Sequence, residues 1–263
     1  MLGKLLKYDL KYMIKNMGAF YVLAVFFAIT TRILLSLDET TMISILTQVC
    51  SGFLFAMLAN ILINTIMRSL VRFRESIYKD EAYLTNTLPV TKNQIYNSKF
   101  LEMAIFYIVG AFIILLCLFI AYYTKDNYAS LKELLSVITS GYGFNTLLLI
   151  ISILLIASLE IINVMVSGFL GIILGHKKNS HKVLFSVIFG FIAYIVSQII
   201  AMLSVFIVGI FNSGVMQMFN GNITPSGTTI KLLIILSITV YLINIILIST
   251  VSKIELNKGI NIE

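Results

Sequence analysis

The residues able to do chemistry inside this chain are few, and most of them sit in apolar surroundings. In the stretch NTLLLIISILLIASLEIINVMVSGFLGII, residues 145–173, Glu160 is the single ionisable group, and Gln198 stands at comparable depth in the apolar stretch 184–211. A carboxyl group in such a place is a functional candidate: it can meet a cationic part of a substrate, relay a proton, or bond a neighbouring helix as a neutral acid. Its burial is tolerable, because the Leu, Ile, Val and Phe around it favour insertion by on the order of 6–11 kcal/mol against about 3 kcal/mol for one charge. Glu102 and Arg32 lie near the ends of apolar stretches, where they are expected to snorkel to the interface. Other chemistries lack their parts. His176 and His181 are five apart with no glutamate between them, so there is no HExxH zinc site. Gly3-Lys4 is followed by Leu5 and lacks the Walker spacing. Cys50 and Cys117 fall in apolar stretches and are expected to act as small apolar groups. The chain is therefore read as non-catalytic, with no metal and no cofactor of its own.

The elements that would position Glu160 follow from composition. Hydrophobic residues make up 59% and charged residues 12% of 263 positions, with a mean hydropathy of +0.99. This is more apolar surface than a soluble domain buries. The apolar runs are long enough to cross the bilayer as helices, which takes about 20 residues each. An all-α polytopic membrane protein is expected, a single transmembrane domain over 1–263, with spans near 19–37, 43–67, 100–123, 145–173, 184–211 and 232–251. The first run ends Leu35-Ser36-Leu37-Asp38 without a small-residue cleavage site and is read as a retained anchor.

Charge orients the spans. With both termini cytoplasmic, fifteen of the nineteen basic residues fall in inner segments, the pattern of the positive-inside rule in a plasma membrane. Those residues are distributed over four membrane-proximal segments, so nucleic-acid binding is not expected.

Residues 1–17 place Leu2, Leu5, Leu6, Leu10, Met13, Ile14 and Met17 on one helical stripe and Lys4, Lys7, Lys11 and Lys15 on another, a basic amphipathic helix suited to lying at the lipid interface. Ser130 and Glu133 fit a capping box for a short outer helix. The segment 212–231 mixes Gly214, Gly221, Pro225 and Gly227 with Val215, Met216, Met218 and Phe219, and is expected as an outer loop that re-enters the membrane under protein cover. Ser167, Gly171 and Gly175 recur every four residues and are expected to let two helices of one subunit pack closely.

Residues 68–99 form the longest polar connection. A short helix is expected over 77–84, ending before Pro89, which disfavours a helical Leu88. Thr91 and Gln94 make a capping box, with Val90 and Ile95 placed as a hydrophobic staple, so a new helix starts at Lys92 and runs into the third span. Such a connection carries force from the loop into the membrane.

The run from Asp80 to Thr91, followed by Gln94 and Ser98-Lys99, resembles the segment E-x-Y-L-T-x-T-L-P-V-S with Q-x-x-x-S-K of permease subunits in type-2 ATP-binding-cassette exporters. Ala82 replaces a common glycine, and Thr91 replaces serine as the cap. The resemblance extends to the N-terminal basic helix, the six spans and the loop before the last one. It implies an interfacial elbow at 1–17, a coupling helix within 68–99 that docks on two copies of a separate cytoplasmic ATPase holding ATP and Mg, and a second permease subunit, identical or sister. It carries over to Glu81, Tyr83, Leu84, Thr85, Thr87, Leu88 and Pro89. Among these, Tyr83, Leu84 and Leu88 are expected to supply apolar contact with the ATPase and Glu81 a polar one. An amphipathic peptide or other hydrophobic cargo is the expected substrate, with Glu160 and Gln198 on its path. Two rival readings are a proton-coupled secondary transporter using Glu160 and a non-transporting immunity or scaffold protein.

Overall fold

In hydrocarbon every backbone N–H and C=O needs a partner within its own segment, which leaves the helix as the natural form for apolar runs of this length. The structure is a computed structural model that describes residues 2–38, 40–79, 81–87, 89–143, 145–219 and 226–259. Among these, every regular element is a helix: α1 (Leu2–Leu35), α2 (Thr41–Tyr78), α3 (Ala82–Thr87), α4 (Lys92–Tyr122), α5 (Lys125–Tyr142), α6 (Thr146–Gly175), α7 (Lys182–Phe211), α8 (Ser213–Phe219) and α9 (Gly227–Asn257). Six of them, α1, α2, α4, α6, α7 and α9, are long and apolar enough to cross a membrane. At 1.5 Å per residue, helices of 30 to 38 residues measure about 45–57 Å against roughly 30 Å of hydrocarbon. Each is therefore longer than the membrane core is thick.

Most helix starts are written in single side chains. Thr40, Thr91, Asn145 and Ser226 each accept a hydrogen bond from a backbone N–H of the first turn of α2, α4, α6 and α9, satisfying donors the helix leaves unpaired. Thr91 and Gln94 complete the reciprocal capping box expected there.

Several boundaries differ from the sequence reading. No break separates residues 1–17 from the first span: α1 is one helix through Gly18. Its amphipathic part is held by packing, with Met13 and Met17 buried against Phe106. The short helix expected over 77–84 is shifted, because buried Phe73, Ile77 and Tyr78 carry α2 on to Tyr78 and α3 takes 82–87. Thr124, not Ser130, starts α5, accepting from the Asn127 N–H at 3.0 Å. Within 212–231, Asn212 caps α8 through the N–H groups of Gly214 and Val215, and α9 already begins at Gly227. Residues 220–225, with Gly221 and Pro225, lie outside the described residues, as do Asp80 and Leu88 of the polar connection.

The chain divides into two units, 1–129 and 130–263. In the first, α1, α2 and α4 pack pairwise around Ala24, Ala28, Leu54, Leu58, Ile61, Cys117 and Ala121. Ala24 and Ala28 are one turn apart, and such small side chains let helices approach. In the second, α6, α7 and α9 pack on one another and α8 rests on α7.

Candidate functional site

In the first unit the polar connection is fixed from within by charge. Asp9 of α1 is 3% exposed and accepts from Arg72 Nε at 3.1 Å, Lys99 Nζ at 2.6 Å and Ser98 Oγ at 3.3 Å. The Arg72 guanidinium also stacks over the Tyr12 ring, 4.5 Å from its centroid, and donates through Nη1 to Glu81 Oε1 at 2.6 Å. One arginine thus ties the start of α1 and the residue just before α3 to the end of α2. Beside it Ser76 and Thr85 hydroxyls meet at 3.4 Å, Tyr12 Oη donates to Glu75 at 3.2 Å, and Arg68 donates to Asn16 at 3.2 Å. A cavity of about 520 Å³ lies among Asp9, Arg72, Ser76, Glu81, Ser98 and Lys99. Each buried charge here has an opposite partner, the condition under which such groups are retained.

This inward network decides which residues of the connection face out. Ala82 and Thr85 are buried, whereas Tyr83 and Leu84 are 76% and 72% exposed. Two large apolar side chains held outward on a fixed short helix form a small contact surface. The Thr87 hydroxyl donates to the Tyr83 and Leu84 carbonyls at 3.0 Å each, closing the end of α3. Pro89 is exposed just before the Thr91 cap. Glu81, expected to supply a polar contact to a partner protein, pairs with Arg72 while its side chain stays 45% exposed. Leu88 lies outside the described residues.

Glu102 also departs from expectation. One turn beyond Lys99, it is fully buried and neither carboxylate oxygen has a hydrogen-bond partner, so it does not snorkel. Packing of α4 against α1 and α2 encloses it.

In the second unit the structure brings Glu160 and Gln198 together. Gln198 Nε2 donates to Glu160 Oε1 at 2.9 Å and Oε2 at 3.2 Å, and Tyr194 Oη donates to Oε1 at 2.8 Å. Tyr241 of α9 stands near the same carboxylate. About one turn along, Asn163 donates to the Ser197 hydroxyl at 2.6 Å and Asn244 to the Ser197 carbonyl at 3.2 Å, a neutral lock joining α6, α7 and α9. Ser167, Gly171 and Gly175 line the α6 face that α7 crosses. A Cβ on Gly171 would stand 2.5 Å from the Gly190 Cα, and one on Gly175 would meet Ser186.

Sequence reasoning missed Asp9, Arg72 and Lys99 as a set, and Tyr194, Tyr241, Ser186 and Gly190. Signals existed for some. Asp9 shares the i, i+4, i+8 stripe of Met13 and Met17, and Ser186 and Gly190 repeat the four-residue spacing of α6.

Fold and composition define an integral membrane protein whose six long helices form two helical units. No family model, curated protein or solved structure matches the chain.

Proposed function

We propose that the chain is the permease subunit of an ATP-driven exporter, docking a separate ATP-binding-cassette ATPase through α3 and forming part of the path for a hydrophobic or amphipathic cargo. One observation carries the reading: α3 holds Tyr83 and Leu84 outward while its other face is fixed to α2 by Arg72–Glu81 and Ser76–Thr85. Such a helix accepts an apolar groove on a partner and passes displacement to α2 and, through the Thr91 cap, to α4. In this reading the connection 68–99 and both termini face the cytoplasm, as the basic residues suggest. ATP and Mg belong to two ATPase copies, and a second permease, identical or sister, completes the assembly in the plasma membrane.

The test is copurification with the candidate ATPase from co-expressing cells. Replacing Tyr83 and Leu84 with aspartate removes none of the bonds of the Asp9–Arg72–Lys99 network, and because Leu84 lines the same cavity membrane insertion of the variant is measured alongside and is expected to be normal. Two central apolar contacts of an interface are worth about 2 kcal/mol or more together, which predicts a loss of copurified ATPase of at least about tenfold. A complex recovered undiminished from the double variant removes the docking assignment and the exporter reading with it.

A further inference from the structure

Asp9 and Glu160 are both carboxylates held by hydrogen bonds, and their surroundings differ in kind. Asp9 is met by Arg72 and Lys99. Glu160 stands at the middle of the 30-residue α6, about 20 Å from either end. Its hydrogen-bond partners, Tyr194 and Gln198, are neutral donors, Tyr241 is a neutral neighbour, and no Lys, Arg or His among the described residues pairs with it. Helix assembly does not explain the charge. The neutral lock of Asn163, Ser197 and Asn244 already joins the same three helices one turn away, and a glutamine at 160 offers the same donors an oxygen without a carboxylate's desolvation cost. Beside the cluster, between α7 and α9, opens a groove of about 280 Å³ whose lining includes Gln198, Met202, Ser237 and Tyr241.

We propose that Glu160, Tyr194, Gln198 and Tyr241 bind an alkylammonium head group whose apolar tail lies in the groove beside Met202 and Ser237. The carboxylate supplies the countercharge, the hydroxyls and amide fix its orientation, and aromatic rings beside an anion suit an organic cation that sheds its water. The proposal deepens the permease reading and rests on it for the site's place in transport, where it narrows the cargo to cationic amphiphiles. Binding itself requires no ATPase.

The test uses the full chain alone, in nanodiscs of phosphatidylcholine and phosphatidylglycerol, with radiolabelled dodecyltrimethylammonium as probe and empty discs as background. Saturable binding is expected, unaffected by dodecanol. Glu160→Gln is expected to weaken it by about tenfold or more, and Tyr194→Phe with Tyr241→Phe by a smaller factor. Absence of saturable binding overturns the proposal, as does equal affinity in Glu160→Gln or equally effective displacement by dodecanol. The dodecanol arm reads the role of charge on the unaltered chain, so the outcome does not depend on any variant folding. A further arm adds phosphatidylethanolamine to the discs: competition at Glu160 assigns the head group to membrane lipid, and its absence assigns it to a free amphiphile. Loss of ATPase copurification with binding intact overturns the permease reading alone. A coupled complex that binds no ammonium overturns this proposal alone.

Discussion

Asp9 is a single acid on a helix whose lysines at 4, 7, 11 and 15 are all exposed, and it is buried between two cations. Removing its charge strands Lys99 and leaves Arg72 with Glu81 alone in a medium that penalises unpaired ions, a loss of about 3–5 kcal/mol for a buried pair. Asp9→Asn is therefore expected to lower the unfolding midpoint of the detergent-solubilised chain sharply. Adding Lys99→Met should recover part of the loss, since one stranded cation is then gone; a double variant no more stable than the single shows that Asp9 is not neutralising Lys99. Such partnerships were the least legible feature of the sequence. Hydropathy marks Asp9 as one more polar residue on a basic helix, and nothing local says that residues 9, 72 and 99 meet. Glu160 was legible because an acid in an apolar run stands out against its neighbours, whereas Tyr194 and Tyr241 read as ordinary aromatic residues of apolar spans.

The helices themselves were legible because apolar length is a direct consequence of the solvent they inhabit, and the Thr91 capping box because both of its partners are local. Boundaries set by tertiary contact were not: α1 runs straight through Gly18 because Asp9, Met13 and Met17 bind its first half to α2 and α4, and a single glycine costs a helix only about 1 kcal/mol. The small-residue stripe of α6 was visible, yet its complement on α7 decides how closely the helices approach. Here the geometry separates two glycines. A methyl at 171 would collide with the backbone of Gly190, whereas a methyl at 190 meets nothing nearer than 3.5 Å. Overpacking against backbone that cannot yield costs about 1–3 kcal/mol, so Gly171→Ala should reduce the fraction of chain recovered as a monodisperse species and lower its midpoint. Gly190→Ala should leave both nearly unchanged. Equal effects from the two substitutions would mean that α6 and α7 do not cross at this point.

For the whole chain to act as the proposed permease, docking and transmission must be separable, and in that proposal they fall to different faces of one six-residue helix. Tyr83 and Leu84 point outward, while Glu81 just before the helix and Thr85 within it face α2. The ion pair Arg72–Glu81 is half exposed on the glutamate side, so its contribution to stability is expected to be small, about 1 kcal/mol or less. Its mechanical consequence is larger, because Arg72 also holds Asp9 and through it Lys99 of α4. A displacement of α3 reaches α2 by this contact and reaches α1 and α4 through Asp9. Glu81→Gln keeps the side chain's size and one acceptor oxygen but removes the charge that grips the guanidinium. The expected result, in proteoliposomes containing the complex with its ATPase, is copurification and basal ATP turnover within about twofold of the unaltered protein. Transport per ATP should fall by about fivefold or more, the scale of a lost coupling free energy near 1 kcal/mol. Three outcomes are distinct. Undiminished transport per ATP takes the Arg72–Glu81 contact out of the transmission path, and loss of the ATPase itself makes Glu81 a docking residue, as the loop sequence alone implied. Intact docking with failed transport identifies the inward face of α3 as the lever.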